Sequence, residues 1–174
     1  MAGRLETLQW QFLMTWRLAG YHLPHLTDAA CLWEPAPDSW TVRRGADGSW
    51  RPDWAETEPN PVPATTIGWL TWHLIWWWSG LLSAVEGEKP RPRETVLWPG
   101  SAAAAVQQLN ALSGNWGRYL ASLSENDLEG PFAYPWEEPR PLSIAIAWAN
   151  SELMKNIAEI GYVRHLCEAR SGQR

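Results

Sequence analysis

Apolar residues recur at helical spacing in four stretches of the chain. From about Leu5 to Ala19, Leu8, Phe12 and Leu13, Trp16 and Ala19 repeat in the i, i+4, i+8 rhythm of one buried face, and Gly20 offers a stop. A second pattern starts at Thr65 or Thr66, either of which can cap a helix, and runs through His73 to about Val85, before Gly87 and Pro90. The third opens at Ser101 as N-cap and continues through an alanine run to about Leu123, with Gly114 and Asn115 weakening its middle. The longest begins near Pro141, a residue suited to a first helical turn, and holds to about Ala169. Four helices on one core predict an all-α four-helix bundle, with residues 1–174 forming a single domain.

The connection between the first two helices has another character. It carries Pro24, Pro35, Pro37, Pro52, Pro59, Pro61 and Pro63 interleaved with tryptophans. Within it, Trp40 to Arg43 and Ser49 to Arg51 flank Gly45-Ala46-Asp47-Gly48, the pattern of a small hairpin or an ordered flap. A loop this long with so many aromatics predicts an ordered lid over residues 40–54.

Composition sharpens this picture at one point: 15 of the 174 residues are tryptophan. Each indole brings a large apolar area and one N–H that needs a partner, so aromatic-walled cavities are expected beside the core. A net charge of −5 with no basic run sets nucleic acid aside as a partner. The two cysteines, Cys31 and Cys167, are too few for a disulfide framework, and the opening residues lack the features of a signal peptide, so a cytoplasmic protein is expected. The apolar run from Gly68 to Val85 holds His73 in its middle and has no basic flank, so no membrane span is expected.

The chemistry concentrates in the last helix. Glu152, Asn156 and Glu159 stand at i, i+4 and i+7 and share a narrow stripe. Ala145, Trp148 and Ala149 precede that stripe and Val163, Leu166 and Cys167 continue it, so three polar groups interrupt an apolar face. Asn150, Ser151, Ala158, Gly161, His165 and Glu168 occupy the opposite side, which reads as solvent-facing. On the second helix His73 shares a face with Thr66, Trp69, Leu70, Trp76, Trp77 and Gly80. Burying two carboxylates and an imidazole without partners costs several kcal/mol each. They can converge on a cation, or His73 and Glu152 can hydrogen-bond across the core while Glu159 reaches solvent.

The segments Trp33 to Arg43, Thr66 to Leu74 and Glu152 to Leu166, in this order and spacing, resemble the DinB-like superfamily, which includes YfiT-type proteins and mycothiol-dependent enzymes. The resemblance covers nearly the whole chain. It implies a four-helix bundle, often a homodimer, with a divalent metal (zinc, nickel, manganese or iron) held by one His of the second helix and a pair four residues apart on the fourth. Carried over, the metal ligands are His73, Glu152 and Asn156, with Glu159 as a substitute ligand or the general base.

Asn156 departs from the family's histidine, and a neutral amide oxygen is a poor ligand for zinc, nickel or iron. Two functions stay open. One is a metal-dependent thiol transferase, isomerase or hydrolase acting on a small molecule in a Trp-lined pocket. The other is a non-catalytic small-molecule-binding or stress-associated dimeric protein whose metal site has degenerated. Other candidates carry less: Cys167 reads as a buried inert thiol, His22 and His25 as surface residues and His165 as an outer-face residue. Arg43 and Arg44 are candidates for an anionic substrate group.

Overall fold

The computed structural model describes residues 3–172. It is mostly helical, with α1 (Arg4–His22), α2 (Asp28–Leu32), α3 (Ile67–Val85), α4 (Ala102–Ser122) and α5 (Leu142–Ser171). The four long helices pack as a ring: α1 on α5, α5 on α3, α3 on α4 and α4 back on α1. None of the described helices is long and apolar enough to cross a membrane.

Capping residues set the starts. The side chain of Thr66 accepts from the Trp69 amide and that of Ser101 from the Ala104 amide, each satisfying one orphan N–H of a first turn. Pro141 stands immediately before α5. Gly20 does not end α1, which runs on to His22, and Gly114 and Asn115 lie inside an unbroken α4 whose next residue, Trp116, is locked in the core at 1% exposure. Packing here outweighs local propensity.

The helix faces differ from the sequence reading in two places. On α1 the buried positions are Leu5, Leu8, Phe12, Thr15, Ala19 and His22, an alternation of three and four that keeps one seam against α5. Leu13, expected inward, falls off that seam and is 55% exposed. On α5 the side expected to face solvent meets α1 instead, so Asn150 and Gly161 are buried while Ser151, Ala158, His165 and Glu168 remain exposed. A helix held between two neighbours has two buried faces, and the second one can be polar or glycine-rich without betraying itself in hydropathy.

Helix α3 is enclosed nearly all round, and its tryptophans spend their N–H groups on specific acceptors. Trp72 donates to the Val96 carbonyl at 2.7 Å and Trp69 to the Asp53 carbonyl at 2.8 Å, while Trp98 reaches back to Thr71 Oγ1 at 3.0 Å. The long connection is ordered around these indoles. β1 (Ser39–Trp40) pairs in parallel with β4 (Ala64–Thr65), and β2 (Val42–Arg44) pairs antiparallel with β3 (Trp50–Pro52) across a turn closed by Gly48 at φ +81°. Trp54 then stacks on Trp40 and Trp69 and meets Trp76 edge-on. Just before α5, β5 (Pro131–Phe132) and β6 (Arg140–Pro141) frame a loop that carries Tyr134 back onto α3.

Candidate functional site

His73 and Trp77 lie four residues apart on α3, and Glu152, Asn156 and Glu159 follow the matching stripe of α5. The two helices face each other here, and Asn156, only 1% exposed, joins them. Its Oδ1 accepts from Trp77 Nε1 at 3.2 Å and lies 3.1 Å from His73 Nδ1, while its Nδ2 donates to Glu159 Oε2 at 3.2 Å. An indole can only donate and a carboxylate can only accept, so these two partners fix which way the amide points. With Oδ1 turned to His73, Nδ1 carries the imidazole proton and Nε2 is left as an unprotonated acceptor.

The surroundings keep that ring neutral. Burial is the main cause that lowers the His73 pKa to about 4, with Lys155 adding to it; the bond to Asn156 and the charge of Glu152 oppose the shift. The imidazole also lies flat on Trp69, centroids 5.0 Å apart and planes 9° apart, and edge-on to Trp76. Nothing in the protein hydrogen-bonds Nε2 among the described residues.

Beside His73 opens a cavity of about 340 Å³. Trp76, Trp77 and Trp148 wall it, Tyr134 closes one end, and Glu152 stands with His73 as its polar lining. The rings brace one another: Trp148 meets Trp77 edge-on at 5.3 Å, Tyr134 at 6.0 Å and Trp136 at 5.8 Å. Tyr134 donates to the Trp77 carbonyl at 2.9 Å, and burial pushes its phenol pKa up to about 12. Gly80 makes this possible, since a Cβ there would stand 2.8 Å from the Tyr134 hydroxyl oxygen. Glu152 pairs with Lys155 of the same helix at 2.7 Å.

The four residues singled out in the sequence therefore lie together between α3 and α5. As arranged, they do not suit a divalent metal. Both lone-pair directions of Asn156 Oδ1 are taken by donors, and Glu159 is turned to the Asn156 amide. Among the described residues no three His, Cys, Asp or Glu side chains converge as ligands.

The remaining candidates fall elsewhere. Residues 40–54 do not line the cavity; Trp54 backs Trp76 from behind. Arg43 pairs with Asp53 at 3.0 Å and with Glu34 at 3.7 Å, and Arg44 is exposed on β2. Cys167 is half-buried rather than enclosed, because α5 has outrun its neighbours by its last turns. His22 is buried at 6% exposure, contrary to a surface reading, because it lies against Gly161, where the absent side chain leaves room for an imidazole. Trp77 and Tyr134 complete the site. The i, i+4 spacing from His73 points to Trp77, whereas no local signal reveals a tyrosine delivered by a distant loop.

A helical protein with an aromatic-walled cavity between its second and last long helices is what fold and site define. The sequence profile of the DinB superfamily matches residues 11–160, and the chain belongs to that superfamily. Its structure is similar to the crystal structure of a conserved protein from Enterococcus faecalis, with a TM-score of 0.61 and 14% identity over 92% of this chain and 94% of that one. At that identity the likeness shows the fold alone. No curated protein matches the chain.

Proposed function

We propose that this DinB-superfamily protein binds a small molecule in the cavity beside His73 without a metal. The carrying observation is the amide of Asn156, which occupies the donors and acceptors of His73, Trp77 and Glu159 where the family resemblance implied a ligand. Those groups are satisfied by one another, which is how a buried polar cluster becomes stable without a cation. His73 Nε2 and Glu152 are left to meet a guest. The concave aromatic surface, with few polar groups fixed in orientation, has the make-up of a small-molecule site.

Elemental analysis of protein purified without a metal-affinity tag, run beside His73→Ala, tests this directly. The expected result is far less than one equivalent of divalent metal in both. In parallel, apolar and aromatic probes such as indole should change tryptophan emission and raise the melting temperature, because a ligand that binds only the native state stabilises it. One equivalent of metal in the parent and none in His73→Ala would overturn the proposal and restore the reading of a metal-dependent enzyme with Glu159 as base.

A further inference from the structure

We infer that the ligand of this cavity is a small organic ammonium ion that carries a hydrogen-bond donor near its charge. The inference rests on the binding reading above and adds the ligand's chemistry. Three observations carry it.

Polar groups lining the cavity, the indole N–H groups of Trp76 and Trp148 apart, are acceptors. The Asn156 hub leaves Nε2 of His73 with a free lone pair, Glu152 offers a carboxylate, and the Tyr134 hydroxyl already donates its hydrogen bond to the Trp77 carbonyl. A guest with donors and positive charge complements that lining, and an anionic one does not.

Second, the walls are aromatic rings set at steep angles to one another. Trp77 and Trp148 are inclined by 65°, and Tyr134 and Trp148 by 71°, so rings border the space from several directions in the manner of an aromatic cage. Tryptophan faces attract cations, and do so more strongly out of water. The same aromatic group already holds one cation on its outer side, where the Arg140 guanidinium sits 5.1 Å from the Trp136 ring.

Third, the charges agree. Lys155, the ion now paired with Glu152, is half-exposed and on a flexible stem, so an ammonium guest can replace it. Glu159 adds a second acid at the rim of the cluster. The Glu152 carboxylate repels a phosphate next to the ammonium, which favours a free ammonium over a phospholipid headgroup.

Choline and dimethylbutanol, its neutral carbon isostere, test the inference, because they share shape and hydroxyl and differ in charge. Titrated against tryptophan emission and checked by ligand-observed NMR, choline should bind roughly tenfold more tightly than dimethylbutanol. Glu152→Gln should bring the two affinities together, and Trp148→Leu should weaken both. Phosphocholine should bind more weakly than choline. Dimethylbutanol or indole binding as tightly as choline would overturn the ammonium assignment and leave the binding reading standing. Absence of any response to choline, dimethylbutanol or indole up to millimolar concentration would overturn both.

Discussion

Helix α5 buries polar side chains on two sides, and the two are built differently. Toward α3, Asn156 has both its amide oxygen and its amide nitrogen bonded and connects two helices, and next to it lies a cavity with a free imidazole nitrogen. Toward α1, Asn150 donates to the Leu8 carbonyl at 2.9 Å but its Oδ1 has no partner, and Arg164 lies between His22 and His165 with its Nε unpartnered. At its far end the α1 side is held by close fit, with the His22 ring against Gly161 and the Tyr21 ring 5.8 Å from the Arg164 guanidinium, while around Asn150 the two helices leave a groove of about 470 Å³. Burial of polar groups alone does not mark a site. A satisfied network that leaves one acceptor free and aimed at open space does.

The largest test of that contrast compares two asparagines. Asn156→Ala strands two buried donors and a carboxylate, and should cost about 3 to 4 kcal/mol in urea unfolding, since each buried unsatisfied group costs about 1–3 kcal/mol. Asn150→Ala removes an amide whose oxygen is already unpaired and should cost about 1 kcal/mol. Equal losses would mean that the Asn156 network is no better satisfied than the α1 seam.

Acidification probes both sides at once. His73 has a folded pKa of about 4, below its ordinary value of 6.5, because burial opposes its charge; His22 is shifted the same way, by burial first and then by Arg164. The unfolded chain therefore binds protons first as pH falls. Stability is full above about 6.5 and declines toward 4, by about 3 kcal/mol for His73 alone, with His22 adding in the same direction. His73→Gln should remove most of this dependence between pH 7 and 4, and what remains reports the α1 seam. An unchanged profile in the variant would place the acid sensitivity elsewhere.

The two sides were unequally legible in the sequence, for a physical reason. The stripe of Glu152, Asn156 and Glu159 and the lone His73 stood out because each interrupts an apolar row at helical spacing, and the structure places all four between α3 and α5. The mostly helical fold was legible for the same reason, through the caps Thr66 and Ser101 and the apolar rows between them. Which atoms bond to which was not, since amide orientation depends on Trp77 and Glu159 together in space. The α1 seam was hidden because its contact residues, Asn150, Gly161 and Arg164, look like surface residues in one dimension. Helix α2 and the two-residue strands are too short for periodicity to register.

Gly161→Ala acts on the seam alone. A methyl group there meets the His22 imidazole, so the ring must leave its place and the helices must separate slightly. The expected loss is about 2 kcal/mol, typical of overpacking, with indole and choline affinities unchanged because the cavity is on the other face of α5. A matching loss of probe affinity would show that the two sides are coupled through the helix.

Lys155→Ala should give the smallest change in stability and the most selective change in binding. Its ion pair with Glu152 joins a half-exposed lysine to a carboxylate three residues away on one helix, a type of pair that contributes less than about 0.5 kcal/mol. Unfolding should therefore hardly move. Yet Lys155 is the cation that an ammonium guest must displace, and its charge also disfavours any second cation near His73. Without it, choline affinity should rise about threefold while that of dimethylbutanol stays the same, and raising the salt concentration should narrow the gap by screening what attraction is left. A rise for both probes would instead mean that Lys155 blocks the cavity by its bulk, and the carboxylate would lose its part in choosing the ligand.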